Sequence, residues 1–434
     1  MRRRSARGAR SASFEHAGCG AMLTAAGCEE RQRWRSVNAD TVVCSPRRRR
    51  RPLVRPVILF LHHRYRVTGG EERAVDDLAW LVREHLGEDA EVLARDSTRL
   101  HPATAGVALV RGGLRPELVA DAVRRTGARI VHAHNLQPTF GWRALAAARE
   151  AGARVVLHLH QYRLVCAIGV CFRDGHECTE CHGADTLPGV RHNCRGARRE
   201  ALAYAAGLAL WQRRTLAVAD AVVVPSAFAA TRLRELGAEL GEVHVVPNPV
   251  RVAPERASAG SDTGRAGALV VSRLAPEKGV DVAIDACTRA GIELTIAGDG
   301  PDRARLEARA AGASVEAGAS AVRFLGHVDS AALAELRARA AVAVVPSRSA
   351  ETFGLAAAEA MAAGLPVAAS RVGALPELVP DEWLAPVGDA VAFADVIRRL
   401  AADPGAGERA RERAQRHAGP RAAAAALSVV YSRV

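Results

Sequence analysis

Residues 267–281 read GALVVSRLAPEKGVD. The apolar run at 267–271 predicts a buried strand and the helical spacing after Lys278 predicts a helix, so the stretch forms a strand–turn–helix unit. Lys278 is the only lysine among 60 basic residues. Free N–H groups at such a helix start favour phosphate, and the planar fork of Arg273 with the point charge of Lys278 suits a diphosphate. Taken alone, either cation is better explained by a surface ion pair with Glu277.

Short apolar runs alternate with helical stretches along most of the chain, which is the pattern of parallel sheets with crossover helices. This pattern predicts the α/β fold class. Because 434 residues are too many for one core, we expect two Rossmann-like doubly wound parallel-sheet domains that face a central cleft. The predicted strands span residues 57–61, 90–93, 130–134, 155–160 and 221–224 in the first domain, and 268–271, 294–297, 322–325, 341–345 and 365–368 in the second.

A second segment, residues 344–370, reads VVPSRSAETFGLAAAEAMAAGLPVAAS. Its two glutamates, Glu351 and Glu359, are separated by seven residues. The TFG triplet predicts that a helix begins after Glu351, which leaves Glu351 on a loop and Glu359 inside the helix. Each glutamate alone fits solvated surface equally well. Together with the two cations, the two carboxylates bracket one candidate pocket.

Four motifs now stand in a fixed order. They are Arg273-x4-Lys278, IAGDGP at 296–301, FLGHV at 324–328 and Glu351-x7-Glu359. In this order and spacing the chain resembles the retaining GT-B glycosyltransferases of family 4 (glycosyltransferase group 1) over about residues 54–434. The resemblance implies an enzyme, a hexosyltransferase of polysaccharide biosynthesis that takes a nucleoside diphosphate sugar as co-substrate.

The resemblance also assigns roles. The implied donor-binding residues are Gly69, Gly70, Arg273, Lys278, Gly326, His327, Glu351, Phe353, Gly354, Leu355 and Glu359. The implied catalytic residues are Arg273, Lys278, His160 and Glu351. In this assignment Glu359 accepts hydrogen bonds from the ribose, Glu351 contacts the donor sugar, and Gly326 and His327 border the base.

No metal ligand is expected in the donor site. The growing charge of a departing diphosphate is neutralised either by a metal or by fixed cations and backbone dipoles. The chain contains no Asp-x-Asp pair. This favours Arg273 and Lys278 over a metal, so no cofactor is expected to be required for catalysis.

In the first domain, residues 67–81 read VTGGEERAVDDLAWL, and Gly69 and Gly70 stand between the first strand and a helix. Glycines there let a ligand approach the backbone, although a glycine pair is otherwise a tight turn. The resemblance gives this loop the donor phosphate and part of the acceptor site. Thr68 and Glu71 are the adjacent candidates for acceptor contacts.

Histidines end two neighbouring strands of the first domain. His160 ends VVLHLH and matches a histidine that points into the cleft in the family, where it would orient and stabilise rather than attack. His132 and His134 end the preceding strand and are candidates to flank the acceptor. A histidine at a strand end is otherwise a hydrogen-bonded structural residue.

The domain boundaries combine composition with the resemblance. Residues 245–267 are rich in proline, glycine and serine, as linkers are. The predicted organisation is a disordered arginine-rich tail at 1–53, an N-terminal acceptor-side domain at 54–249 with a cysteine-rich insertion at 161–200, a linker at 250–266, a C-terminal nucleotide-sugar domain at 267–419 and a helix at 420–434 that returns to the first domain.

The formal net charge of +13 lies mostly in the tail. Residues 1–52 hold 13 arginines against 4 acidic residues, or +9, which leaves +4 for the rest. The tail is interpreted as a disordered segment that binds anionic lipid or nucleic acid, or as upstream sequence that does not belong to the native protein. No apolar run reaches 18 residues, so a cytoplasmic protein is predicted, with peripheral contact to the inner membrane leaflet left open.

Five cysteines fall within residues 166–194. The pair Cys178-x2-Cys181, flanked by Cys166 and Cys194, has the spacing of a structural zinc knuckle, with nearby histidines as spare ligands. The alternative is a set of reduced thiols that pack a long loop.

The predicted function is retaining, metal-independent transfer of a hexose-type sugar to a glycan, lipid-linked or small-molecule acceptor, with no nucleic acid as partner. The alternatives are a GT-B-like sugar-nucleotide epimerase, which needs no acceptor, and a nucleic-acid-binding zinc-knuckle protein. The latter leaves the four motifs unused. Sequence alone does not identify the sugar, the base, the acceptor or the oligomeric state.

Overall fold

The computed structural model describes residues 41–42, 56–65, 69–98, 100–251, 264–317 and 321–434. The predicted tail at 1–53 lies outside these residues except for Thr41–Val42. Thr68 and residues 252–263 of the predicted linker also lie outside them.

The N-terminal lobe is built on one sheet with the strand order β1-β3-β2-β4-β5-β8-β9, parallel throughout except that β1 pairs antiparallel with β3. A hairpin, β6-β7, lies apart from it. The strands are β1 (Thr41–Val42), β2 (Val57–Arg64), β3 (Asp89–Asp96), β4 (Ala128–Ala133), β5 (Arg154–His158), β6 (Phe172–Arg173), β7 (His176–Glu177), β8 (Ala221–Val224) and β9 (Val243–Val245). The helices are α1 (Gly70–His85), α2 (Pro102–Arg111), α3 (Glu117–Thr126), α4 (Gly141–Glu150), α5 (Leu187–Arg191), α6 (Arg198–Val218) and α7 (Ala227–Glu235).

The C-terminal lobe holds an all-parallel sheet with the order β12-β11-β10-β13-β14-β15, in which Val270 of β10 lies opposite Ile296 of β11. Its strands are β10 (Ala268–Val271), β11 (Leu294–Ala297), β12 (Val322–Gly326), β13 (Val342–Val345), β14 (Val367–Ser370) and β15 (Leu384–Ala385). Its helices are α8 (Val280–Ala290), α9 (Arg303–Ala317), α10 (Ser330–Arg339), α11 (Leu355–Ala362), α12 (Leu375–Leu378), α13 (Ala390–Ala401), α14 (Ala406–Ala418) and α15 (Pro420–Arg433), with a 3-10 turn at Pro276–Lys278.

The last helix belongs by its packing to the first lobe. In α15, Leu427, Val430 and Tyr431 are buried in the same apolar cluster as Ile58 and Phe60 of β2. The turn at residues 419–420 redirects the chain after α14, because proline at the first helical position fits a helix start but not a helix interior. The C-terminus therefore closes one face of the N-terminal sheet.

The predicted α/β architecture of two doubly wound sheets is confirmed, and each of the ten predicted strands is present, with ends shifted by at most three residues. Strands β1, β6, β7, β9 and β15 were not predicted. β9 is a half-exposed edge strand interrupted by His244, and β15 has only two residues, so neither produces an apolar run.

Strand order positions the candidate site. In the C-terminal sheet the connections reverse direction between β10 and β13, and the loops after these strands carry Lys278 and Glu351. In the N-terminal sheet the reversal lies between β2 and β4, and the loop after β2 leads into α1 at Gly70. Open parallel sheets place ligands at such reversals.

Candidate functional site

One large cleft, of about 3530 Å³, is lined by residues of both lobes. The predicted site residues that line it are Gly69, Gly70, His160, Arg273, Lys278, His327, Glu351, Phe353, Gly354, Leu355 and Glu359. Gly326 is the exception. It ends β12, and its carbonyl accepts a hydrogen bond from the N–H of Gly298 at 2.8 Å, so its contribution is to shape the turn before His327.

Lys278 and Glu351 form an ion pair within the cleft. The Nζ of Lys278 lies 2.6 Å from Oε1 of Glu351, and the hydroxyl of Ser347 donates to the same oxygen at 2.7 Å. Burial raises the pKa of the Glu351 carboxyl, but attraction to Lys278 and the two hydrogen bonds outweigh burial and the net pKa is lowered. The cleft thus holds a fixed carboxylate that keeps an ammonium group in place.

Arg273 is arranged differently. Its guanidinium forms an ion pair with the buried Glu277, which is the alternative that the sequence left open. The side chain nevertheless lines the cleft and is 52% exposed. Lys278 is therefore held inside the pocket, whereas Arg273 lies at the edge of the pocket with part of its guanidinium exposed to solvent.

Glu359 links the two lobes. It lies inside α11, as predicted, and its Oε1 accepts a hydrogen bond from Arg73 of α1 at 2.7 Å. Its Oε2 is paired with Arg337 of α10. Neither arginine was predicted at the site.

Two helix starts from opposite lobes meet in the cleft. Helix α1 begins at Gly70 and helix α11 begins at Leu355. A Cβ atom on Gly70 would lie 3.3 Å from Cδ2 of Leu355, so the helix starts approach each other closely. Gly354, which precedes α11, has φ +88 and offers no side-chain cap. Since the first N–H groups of a helix have no intrahelical partner, both ends can donate to an anion.

His160 is buried at the N-terminal wall of the cleft. Its Nε2 lies 2.8 Å from Nδ1 of His134, and its backbone carbonyl accepts a hydrogen bond from Thr352 of the other lobe at 2.8 Å. The Thr352 carbonyl in turn accepts from Ser226 at 2.7 Å. Burial, reinforced by His62 and His132, lowers the pKa of His160 to about 3. The imidazole is therefore neutral at physiological pH.

The side chain of the acceptor candidate Glu71 is also buried. Tyr65 and Gln161 each donate to its Oε2 at 2.7 Å. Burial raises the pKa of Glu71, against the lowering effects of His62 and Tyr65. All three side chains line the cleft, and Thr68, the other predicted acceptor contact, lies outside the described residues.

The predicted zinc knuckle is not assembled. Of the cysteines at 166–194, Cys166 and Cys171 are buried in an apolar cluster with Tyr162, whereas Cys178, Cys181 and Cys194 lie nearer the surface. Within this described stretch, no three cysteine or histidine ligand atoms come within metal-binding range. The alternative, free thiols that pack a long loop, describes the structure. Elsewhere in the described residues, three histidines do converge.

Comparison with known proteins agrees with this architecture. A family model described as "Glycosyl transferases group 1" matches residues 252–417, and a "Glycosyl transferase 4-like domain" model matches residues 68–249. A solved structure, Anabaena Alr3699/HepE in complex with UDP, superposes with a TM-score of 0.57 at 20% identity, covering 87% of this chain and 100% of that chain.

Two curated relatives are from Mycobacterium tuberculosis. The chain is 38% identical over 208 residues to a glycogen synthase, which covers 45% of this chain and 49% of the relative. It is 39% identical over 167 residues to a GDP-mannose-dependent alpha-(1-6)-phosphatidylinositol dimannoside mannosyltransferase, which covers 36% and 42%. The chain spans about half the length of the curated relatives it matches.

Among the described residues, none of the helices has both the length and the apolarity needed to cross a bilayer. The order of the four motifs, the paired parallel sheets and the two family models that together match residues 68–249 and 252–417 agree with one another. The chain belongs to the group 1 glycosyltransferases, which have the GT-B fold.

Proposed function

We propose that this chain transfers a hexose-type sugar from a nucleoside diphosphate sugar to a glycan, lipid-linked or small-molecule hydroxyl, with retention of configuration and without a catalytic metal. The observation that supports this most is the position of Lys278. Its ammonium lies in the same cleft as the starts of α1 and α11, which approach each other from opposite lobes.

The donor diphosphate binds between the two helix starts. N–H groups after Gly69 and Gly354 donate to its oxygens, and the helix dipoles add positive potential. Lys278 stabilises the charge that develops as the C1–O bond of the donor breaks. The Arg273 guanidinium donates further hydrogen bonds to the diphosphate from the edge of the cleft. These fixed groups do the work that a metal does in other transferases.

The nucleoside binds toward α11 and the loop after β12. A carboxylate has about four acceptor positions, and the two arginine contacts of Glu359 use two of them. The remaining positions accept hydrogen bonds from the ribose hydroxyls. His327 borders the base, which main-chain groups recognise.

The sugar lies between Glu351 and His160. Glu351 and the backbone of residues 353–355 hold the sugar hydroxyls, and neutral His160 orients the reacting carbon. The acceptor oxygen bonds to C1 on the face that the diphosphate leaves, and the hydroxyl proton passes to a departing phosphate oxygen. We assign the acceptor hydroxyl to the N-terminal wall, beside Glu71 and Tyr65.

The nucleotide is uridine or guanosine diphosphate. The name of one relative specifies GDP-mannose, and a solved neighbour contains UDP. A thermal-stabilisation screen of nucleotide sugars tests this choice, because a ligand at a hundred times its Kd adds about 2.7 kcal/mol. Stabilisation by one sugar nucleotide and not by the matching nucleoside supports the proposal, and no stabilisation by any donor contradicts it.

Product analysis tests the reaction itself. Nuclear magnetic resonance of the glycoside made with the best donor reports the anomeric configuration, and an inverted product contradicts the mechanism. A reaction without acceptor separates transfer from epimerisation, since an epimerase converts the donor when no acceptor is present and a transferase gives at most slow hydrolysis.

A further inference from the structure

Four histidines line one face of the N-terminal sheet, and three of them, His132, His134 and His158, do not line the cleft. His132 lies on β4 and His134 directly follows it, while His158 ends β5 and His160 lies two residues beyond it. Because side chains two residues apart in extended chain point the same way, all four lie on one face. The ring centroids of His132 and His134 are 4.6 Å apart. The ring centroid of His158 lies 5.3 Å from that of His132 and 5.2 Å from that of His134. His132, His134 and His158 are at most 3% exposed.

Several nitrogens of this cluster have no partner. His132 uses Nδ1 to contact the hydroxyl of Tyr431 at 2.7 Å, and His134 uses Nδ1 to contact His160. The Nε2 atoms of both, and both ring nitrogens of His158, are buried without a hydrogen-bond partner in the described structure. Buried polar atoms have a partner in almost all native proteins, so four such atoms in one place point to a site that takes a ligand.

The three residues can converge on one ion. Each offers a nitrogen, and these nitrogens all lie within 4.8 Å of one another. A set of three imidazoles suits zinc. The contact between Nδ1 of His132 and the Tyr431 hydroxyl resembles the outer hydrogen bonds that orient metal-binding histidines.

We propose that His132, His134 and His158 bind one Zn²⁺ ion inside the N-terminal lobe. We assign the ion a structural role, because His132, His134 and His158 are at most 3% exposed and, of the four histidines, His160 alone lines the cleft. The ion ties β4 to β5 and, through Tyr431, to the returning helix α15. It also fixes the Nδ1 of His134 as the donor to His160. The proposal stands independently of sugar transfer, since binding is measured without any donor.

The test uses the untagged full-length chain, expressed with Zn²⁺ and dialysed into metal-free buffer without chelator. The expected zinc content is about one equivalent in the unmodified chain and below about 0.2 equivalents in His158→Gln. His244→Gln, on edge strand β9 of the same sheet, is the matched histidine control and retains zinc. A Cys178→Ser, Cys181→Ser double variant also retains it, which separates this site from the cysteine-rich insertion.

Cobalt substitution gives a readout that does not depend on variants. Protein produced with Co²⁺ is expected to show visible d–d absorption without thiolate-to-cobalt charge-transfer bands, because every protein ligand is an imidazole nitrogen. If His158→Gln fails to fold, this spectrum decides. A folded unmodified chain without metal, a spectrum with thiolate bands, or an unchanged zinc content in folded His158→Gln would each overturn the proposal.

Discussion

Replacement of Lys278 by methionine removes an ammonium group and keeps a side chain of similar length. In the structure the Lys278 ammonium lies 2.6 Å from Oε1 of Glu351, and the Ser347 hydroxyl donates a hydrogen bond to the same oxygen. The variant therefore changes two quantities. It removes the cation that is proposed to stabilise the departing diphosphate, and it leaves the partly buried Glu351 carboxylate without its counter-ion.

The burial of the pair sets the expected loss of stability. Removing one partner costs about 3–5 kcal/mol for a buried pair and below about 1 kcal/mol for an exposed pair. The side chains of Lys278 and Glu351 are 27% and 18% exposed, between these limits. We expect the free energy of unfolding to fall by about 2 kcal/mol. We expect kcat to fall by about 10²–10³-fold, which is the usual effect of removing one group that stabilises developing charge.

The assay measures kcat for sugar transfer, nucleotide Kd and urea unfolding for Lys278→Met alone and combined with Glu351→Gln. The double variant replaces a charged pair by neutral groups, so stability should recover while kcat stays low. Arg309→Met is the matched control, because Arg309 pairs with Asp285 in the same lobe and does not line the cleft. A Lys278→Met enzyme with kcat within about threefold of the parent would refute the assignment of this cation to the leaving group.

Three further outcomes are expected. Glu359→Gln should raise the donor KM about tenfold, which corresponds to a loss of about 1.4 kcal/mol in binding, with little change in kcat. With a donor that lacks the ribose 2′-hydroxyl, the variant and the parent should have the same KM. Gly354→Ala should lower stability by about 1–3 kcal/mol because φ is +88 and the new Cβ would lie 2.6 Å from Leu375, whereas Gly312→Ala, with open space around it, should be neutral or stabilising in the same thermal melts. Brief EDTA treatment should leave initial transfer rates unchanged, and a loss restored by Mg²⁺ or Mn²⁺ would show that the cleft needs a metal.

The sequence predicted the fold well because the decisive signals are local. The continuous apolar runs at 268–271 and 294–297 identify buried parallel strands without reference to the rest of the chain. The TFG triplet likewise placed the start of α11 correctly between Glu351 and Glu359. Strands such as β9 give no such signal, because pairing at a sheet edge rather than composition makes them strands.

The contacts between the lobes could not be predicted in the same way. Arg73 meets Glu359 across 286 positions of sequence, and Thr352 reaches the carbonyl of His160 across 192. No spacing rule connects residues so far apart in a chain that contains many arginines. The converging histidines, by contrast, have a pattern in the sequence. His-x-His on two neighbouring strands, at 132–134 and 158–160, already places four rings on one face.

Hydrogen exchange of the two helix starts tests the central claim most directly. A saturating nucleoside diphosphate should protect backbone amides in both segments, 69–73 and 353–357, and the corresponding nucleoside should protect neither. This result is predicted because the starts of α1 and α11 are proposed to donate to one diphosphate across the cleft. Protection confined to one lobe, or equal protection by the nucleoside, would contradict the proposed site.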